Sequence, residues 1–199
     1  MVPDAQGATA VPTVTVFVPA TWSMLDLDPQ TRTGSIARLV EEKIGGGSDL
    51  SQARRRMMDQ LERAVEVAVG QGAILGYLLL TSGGGKVASA SLFVSVVDGV
   101  GDHGDQVPEP AAAAEALAAR LDGEVRQLPV GPAVRVRRRR SVAVEDGANP
   151  SDVEIVQWYS LHETGRRLAT MTFSTPNVGL ADEFGEVFDL IAATLRWTA

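Results

Sequence analysis

The sequence predicts an α+β fold: a single antiparallel β-sheet with helices packed on both faces, an α/β/α sandwich. Three observations lead there. Two strand-like segments near the middle of the chain are apolar enough to need cover on both sides. The last three strand-like segments are joined by short turns, which force antiparallel neighbours. Amphipathic helical stripes occur before, between and after the strands, so both faces of the sheet can be covered.

Each element has its own signal. Residues 1–12 are small and polar and read as a flexible N-terminal segment, and one domain is expected over 13–199. Val14, Val16 and Val18 alternate with Thr13, Thr15 and Phe17 as in a strand that Pro19 ends. Residues 22–27 read as a second short strand, closed by Asp28-Pro29. Ile36, Leu39, Val40 and Ile44 recur at helical spacing until Gly45-Gly46-Gly47 stops them. A longer helix follows, with Asp49 as N-cap, Gln52 completing a capping box, and Gly70 expected at the C′ position. Its apolar face carries Leu50, Met57, Leu61, Val65 and Ala68.

A hairpin comes next. Residues 73–80 are nearly all apolar, Ser82-Gly83-Gly84-Gly85-Lys86 supplies the turn, and 87–97 returns. On the returning strand Ala88, Ala90, Leu92, Val94 and Val96 share one face, and Ser89, Ser91 and Ser95 share the other. Residues 111–121 form an alanine-rich helix with Pro110 at its start and Gly123 after its end. Strands are then expected over 132–144, 153–161 and 167–174. A final helix follows, with Leu180, Phe184, Val187, Phe188, Ile191 and Leu195 as its buried stripe.

Composition narrows the chemistry. With 199 residues the chain can bury about 70% of its extended surface and needs no disulfide or metal to fold. There is no cysteine, which excludes thiolate zinc, iron–sulfur clusters, disulfides and a cysteine nucleophile. The net charge of −7 argues against general affinity for nucleic acid or anionic membranes. The first thirteen residues lack a basic start and an apolar core, and no apolar run is long enough to span a bilayer, so the cytosol is the expected compartment.

The most unusual stretch is Val134-Arg135-Val136-Arg137-Arg138-Arg139-Arg140-Ser141-Val142. On a strand, Arg135, Arg137 and Arg139 share one face, and Arg138 and Arg140 fall in phase with Val134, Val136 and Val142. Burying an unpaired guanidinium costs several kcal/mol, at order of magnitude. Either the strand therefore runs past its helical cover, or a bulge shifts its register. The plain reading is a solvated strand face with acids such as Glu154 nearby; the functional reading is a docking patch for an acidic protein surface or a phosphorylated ligand. Nucleic acid is the weakest reading, because the chain is acidic and lacks interleaved aromatics.

The remaining motifs offer little chemistry. Ser82-Gly83-Gly84-Gly85-Lys86 fails as a phosphate loop, since Leu80 stands at the first glycine and Val87 at the magnesium hydroxyl. Asp102-His103-Gly104-Asp105 is an incomplete metal set, and Asp26 and Asp28 are more simply turn formers before Pro29. With two histidines, both in expected loops, and no Gly-x-Ser-x-Gly elbow, a Ser-His-Asp triad has little to draw on. Trp22, Trp158 and Trp197 are expected to pack in the core or at its rim. No catalytic residue, cofactor or metal site is assigned.

The order of elements resembles the Mog1p/PsbP-like α/β/α sandwich, over residues 14–197. Pro19-Ala20-Thr21-Trp22 with Leu25-Asp26-Leu27 is similar to that family's opening; Thr170-Met171-Thr172-Phe173-Ser174-Thr175-Pro176 is similar to its last strand; residues 184–197 are similar to its closing helix. The chain also resembles a set of actinobacterial proteins ending in Ser-Thr-Pro and Leu-Arg-Trp patterns. Members of the family are accessory proteins that bind larger partners, including a small GTPase and a photosynthetic complex, and some are mycobacterial lipoproteins. This chain has no lipobox cysteine. No functional residue of that family can be placed on this chain. The missing catalytic constellation, the helix cover on both faces and the strand-borne arginines point to a non-enzymatic accessory or adaptor protein that binds a larger protein partner, with Arg135, Arg137, Arg138, Arg139 and Arg140 as the candidate contact surface. A small-ligand binder or enzyme with a pocket between sheet and helices is the alternative, drawn from Ser89, Ser91 and Ser95 on one strand face and Thr170 and Thr172 on another.

Overall fold

In chain order the strands are β1 (Thr13–Thr15), β2 (Trp22–Met24), β3 (Ala73–Gly83), β4 (Lys86–Asp98), β5 (Glu124–Leu128), β6 (Gly131–Val142), β7 (Ser151–Leu161), β8 (Arg167–Thr175) and β9 (Arg196–Thr198). The helices are α1 (Arg32–Ile44), α2 (Ser51–Gly70), α3 (Pro110–Leu121) and α4 (Ala181–Ala192), with a 3₁₀ turn at Val178–Leu180. The structure is a computed structural model, and it describes residues 13–44, 51–83, 86–98, 109–142 and 151–198. Seven strands form one antiparallel sheet in the order β2-β3-β4-β8-β7-β6-β5, and β1 pairs with β9 in a separate ribbon. The predicted α+β sandwich is the observed architecture.

One face of the sheet packs on α4. Strict alternation supplies it: Ala90, Leu92 and Val94 from β4, Ala169, Met171 and Phe173 from β8, Val156 and Trp158 from β7, all buried. Phe184, Phe188, Ile191 and Ala192 come down from α4 at helical spacing. Phe188 is fully buried and stacks on Phe173 with ring centroids 4.7 Å apart. Asp182 and Glu183 in the first turn of α4 favour the positive end of the helix dipole. Val14 and Val16 at the chain start and Leu195 after α4 join the same core, so the β1–β9 ribbon closes its end.

The opposite face is covered in two places. Ile36 and Val40 of α1 and Leu61 and Val65 of α2 bury Leu78 and Leu80 of β3 with Leu25. Ala114 and Ala118 of α3 sit on Val134 and Val136 of β6. The small alanines let α3 approach closely, and the chain leaves it closer still. A Cβ at Gly123 would lie 2.9 Å from the Arg135 carbonyl oxygen and equally near the methyls of Val134 and Val136. The backbone oxygen cannot yield, so Gly123→Ala is expected to cost about 1–3 kcal/mol in chemical denaturation.

Several local expectations are corrected. The left-handed glycine after α2 is Gly72 (φ 81°), and Gly70 is the last helical residue. After α3 the left-handed position is taken by Asp122 (φ 53°). Leu180 lies in the 3₁₀ turn ahead of the α4 stripe and is exposed, whereas Leu195 is buried beyond the end of that helix. Two strands have no counterpart among the sequence expectations. These are β5, whose turn back into β6 uses Gly131 at φ 121°, and β9, where the chain expected to continue α4 instead pairs with β1. Residues 1–12, Gly45-Gly46-Gly47, Asp49 and the 102–105 loop lie outside the described residues.

Candidate functional site

The arginine strand is β6, between β5 on one side and β7 on the other. Its pairing with β7 runs without a shift from Ala133↔Ser160 to Val142↔Ser151, so no bulge is present. The strand instead outruns its helical cover, the first of the two alternatives. The second guanidinium nitrogen of Arg138 (Nη2) donates to the Leu121 carbonyl at 2.7 Å, which caps the end of α3.

Alternation sorts the five arginines between two environments. Arg135, Arg137 and Arg139 face α4. Arg135 is largely buried; its Nε–H donates to Asp189 at 2.8 Å and its Nη1 lies 3.4 Å from Glu124. Arg137 donates through Nε to Glu154 and through Nη2 to Asp182 at 2.8 Å. Arg139 donates to the other oxygen of Glu154 at 3.2 Å. Glu154 is 3% exposed, so its carboxylate is held away from water by two guanidinium groups. Its hydrogen bond, reinforced by that of Asp182, holds Arg137 above the usual arginine range and permanently charged. Among the described residues this face is balanced: Arg126, Arg135, Arg137 and Arg139 meet Glu124, Glu154, Asp182 and Asp189.

Arg138 and Arg140 face the other way, in phase with Val134 and Val136 as the sequence indicated. No ion pair reaches either one among the described residues. Arg138 is half-buried beside Tyr159, whose phenol is pushed above its ordinary value by burial and pulled back by the Arg138 cation. Arg140 is exposed. Among the described residues, the uncompensated positive charge of the strand therefore sits toward its far end, on the face away from α4. Sequence reasoning placed Glu154 near the arginines but missed Asp182 and Asp189. Their seven-residue spacing puts both on one side of α4, and that was the available signal.

On the face away from α4, Phe93 of β4 packs against the α1–α2 cluster and Tyr159 of β7 against the α3 cluster, and polar side chains of β4, β8 and β7 lie between them. The register sets Ser91 opposite Ser174, Phe93 opposite Thr172 and Ser95 opposite Thr170, with Gln157 beside Thr172. The Ser91 and Ser174 hydroxyls are 2.7 Å apart, and the Gln157 amide donates to Thr172 at 3.3 Å. All of these side chains are half-buried. The serine and threonine faces that the sequence singled out do adjoin.

The other candidate motifs resolve into local structure. Lys86 begins a strand, so the Ser82–Lys86 segment joins β3 to β4 and opens no helix. Asp26 accepts the Asp28 N–H at 3.0 Å and the Thr31 hydroxyl at 2.6 Å, and Asp28 accepts the Gln30 N–H at 2.8 Å, so both carboxylates build the turn into α1. These bonds, Thr31's first, hold the Asp26 carboxyl below its usual value. His162 bonds Thr164 in the β7–β8 turn and packs edge-on against Trp197 at 4.8 Å. Trp22 and Trp158 are buried in the core, and Trp197 is packed against it. Among the described residues, no group of three or more His, Asp or Glu side chains is placed to hold a metal, and no helix is long and apolar enough to cross a membrane.

The Ser160 hydroxyl and the indole nitrogens of Trp158 and Trp197 are buried without a hydrogen-bond partner. Ser160 is fully buried, with Ala133 and Ala169 opposite it on the neighbouring strands. Removing its hydroxyl removes a desolvated polar atom, so Ser160→Ala is expected to raise the unfolding free energy by about 1 kcal/mol in denaturant titrations.

No family model matches the chain, and no curated protein does. A solved structure, that of LpqN of Mycobacterium tuberculosis, described as involved in cell envelope biogenesis, is similar at 12% sequence identity and a TM-score of 0.48. The match covers 98% of this chain and 88% of that one.

Proposed function

We propose that this protein is a non-enzymatic accessory protein that docks on an acidic surface of a larger protein partner. The observation that carries this reading is the sorting of the arginines. Those facing α4 are matched by carboxylates of the same chain, while Arg138 and Arg140, toward the end of β6, meet no carboxylate among the described residues. A local excess of cations on a chain of net charge −7 steers an acidic partner to one place and one orientation. The docking surface is then Arg138 and Arg140 with the half-exposed Arg139, and Arg135 and Arg137 serve the fold.

The test is retention of partners on the immobilised protein at low and high salt, comparing wild type with Arg138→Glu/Arg140→Glu. Loss of specific partners at low salt, from a variant that stays folded and melts a few degrees below wild type for want of the Arg138 cap on α3, is the expected result. An unchanged partner set rejects the docking surface.

A second reading is favoured by the adjoining hydroxyl faces of β4 and β8. Uncharged hydroxyl and amide groups between Phe93 and Tyr159 suit contact with a neutral polar small molecule. A thermal-shift screen with sugars, nucleotides and polar metabolites tests it, since a ligand at about 100 times its Kd stabilises by about 2.7 kcal/mol. A stabilising hit abolished by Thr172→Phe supports that reading; no shift across the screen rejects it.

A further inference from the structure

We propose that the outer edge of β6 over residues 136–142 accepts an extended acidic segment of a partner protein as an eighth strand of the sheet. The inference rests on the docking reading above and specifies how the partner is held. The last β5 pair is Glu124↔Arg135, and on that side of β6 no further strand follows among the described residues. On the inner side, pairing with β7 continues to Val142 and holds the edge straight and extended. An extended strand leaves alternate N–H and C=O groups pointing out of such an edge, a ready template for another chain.

Charge decides which chain. A second copy of this protein is a poor occupant, because antiparallel pairing of two β6 edges about an axis near 138–139 sets arginine opposite arginine, and like charges directly opposite are destabilising. The same repulsion rejects cationic segments. A strand with acids at every second position instead lays them along one face, beside Arg138 and Arg140, while its main chain bonds to β6. Main-chain bonds then supply affinity and the arginines supply the choice of partner. Arg139, roughly half exposed, offers a weaker contact on the other face, since it already shares Glu154 with Arg137.

The experiment uses the whole protein and three labelled heptapeptides, read by fluorescence anisotropy at low salt: one with Glu at alternate positions separated by Thr and Val, one with Lys for Glu, and the acidic one with alternate amides N-methylated. The expected result is binding of the acidic peptide alone, weakened at least tenfold by N-methylation and at least tenfold by Arg140→Glu. Equal binding of the N-methylated peptide overturns strand addition while leaving charge-guided docking intact. Absence of binding by the acidic peptide also overturns strand addition. The docking reading fails separately, on a partner set unaffected by charge reversal at Arg138 and Arg140. Hydrogen exchange gives an independent check: amides of 136–142 gain protection with the acidic peptide, and an unchanged profile contradicts the inference.

Discussion

Phe188→Ala is expected to lower the unfolding free energy by about 3–5 kcal/mol, the range for truncating a fully buried aromatic side chain. Its ring is inaccessible to solvent and lies within 4.7 Å of Phe173, 5.7 Å of Phe184 and 6.4 Å of Trp22, measured between ring centroids. These partners come from β8, α4 itself and β2, so the cavity would open where helix and sheet meet. Collapse into it is restricted because Phe173 belongs to a strand paired on both sides. For a chain of this size the loss corresponds to roughly 10 °C in melting temperature. Phe188→Leu, which keeps most of the volume, should cost clearly less. Equal losses for the two variants would mean that the stacked rings are not the centre of this core.

Arg137→Met is expected to cost about 2–3 kcal/mol, which is unusual for a strand residue whose side chain is 36% exposed. The cost comes from Glu154, which stays buried with one of its two guanidinium partners gone. Arg139 remains bonded to it, which is why the estimate lies below that for a fully broken buried pair. Adding Glu154→Met to Arg137→Met should recover part of the loss, because an apolar pair leaves no buried charge. The denaturation midpoints of wild type, both single variants and the double variant close a cycle that isolates this coupling. A double variant no more stable than Arg137→Met would show that Glu154 is solvated despite its burial.

The sequence carried the sandwich because its central elements are strongly patterned. β4 alternates Ala90, Leu92 and Val94 with serines, and α4 repeats Phe184, Phe188 and Ile191 at helical spacing. β5 escaped because Glu124-Val125-Arg126-Gln127-Leu128 is an edge strand with a single buried side chain, and periodicity reports only burial. β9 escaped for a different reason. Leu195 continues the helical phase of α4, yet its burial comes from tertiary contact after the helix has ended. At the arginine strand, alternation divided the five side chains correctly into two faces, but the sign of their surroundings could not be read locally. Glu124, Asp182 and Asp189 come from β5 and α4, which only the fold brings to β6. The two hydroxylated faces were legible as alternation on β4 and β8; that they adjoin depends on the β4–β8 register, which only the fold supplies.

Chemical denaturation of Arg135→Met, Arg137→Met, Arg138→Met, Arg139→Met and Arg140→Met tests the sorting of these side chains most directly. The two guanidinium groups locked between β6 and α4 should be the expensive ones, each losing about 2 kcal/mol or more. Loss of the Arg138 cap and loss of the longer Arg139–Glu154 bond should each cost about 1 kcal/mol, and Arg140 should stay within about 0.5 kcal/mol of wild type. A flat profile across the five, or a loss at Arg140 as large as that at Arg137, would contradict the division into fold-building and partner-facing arginines.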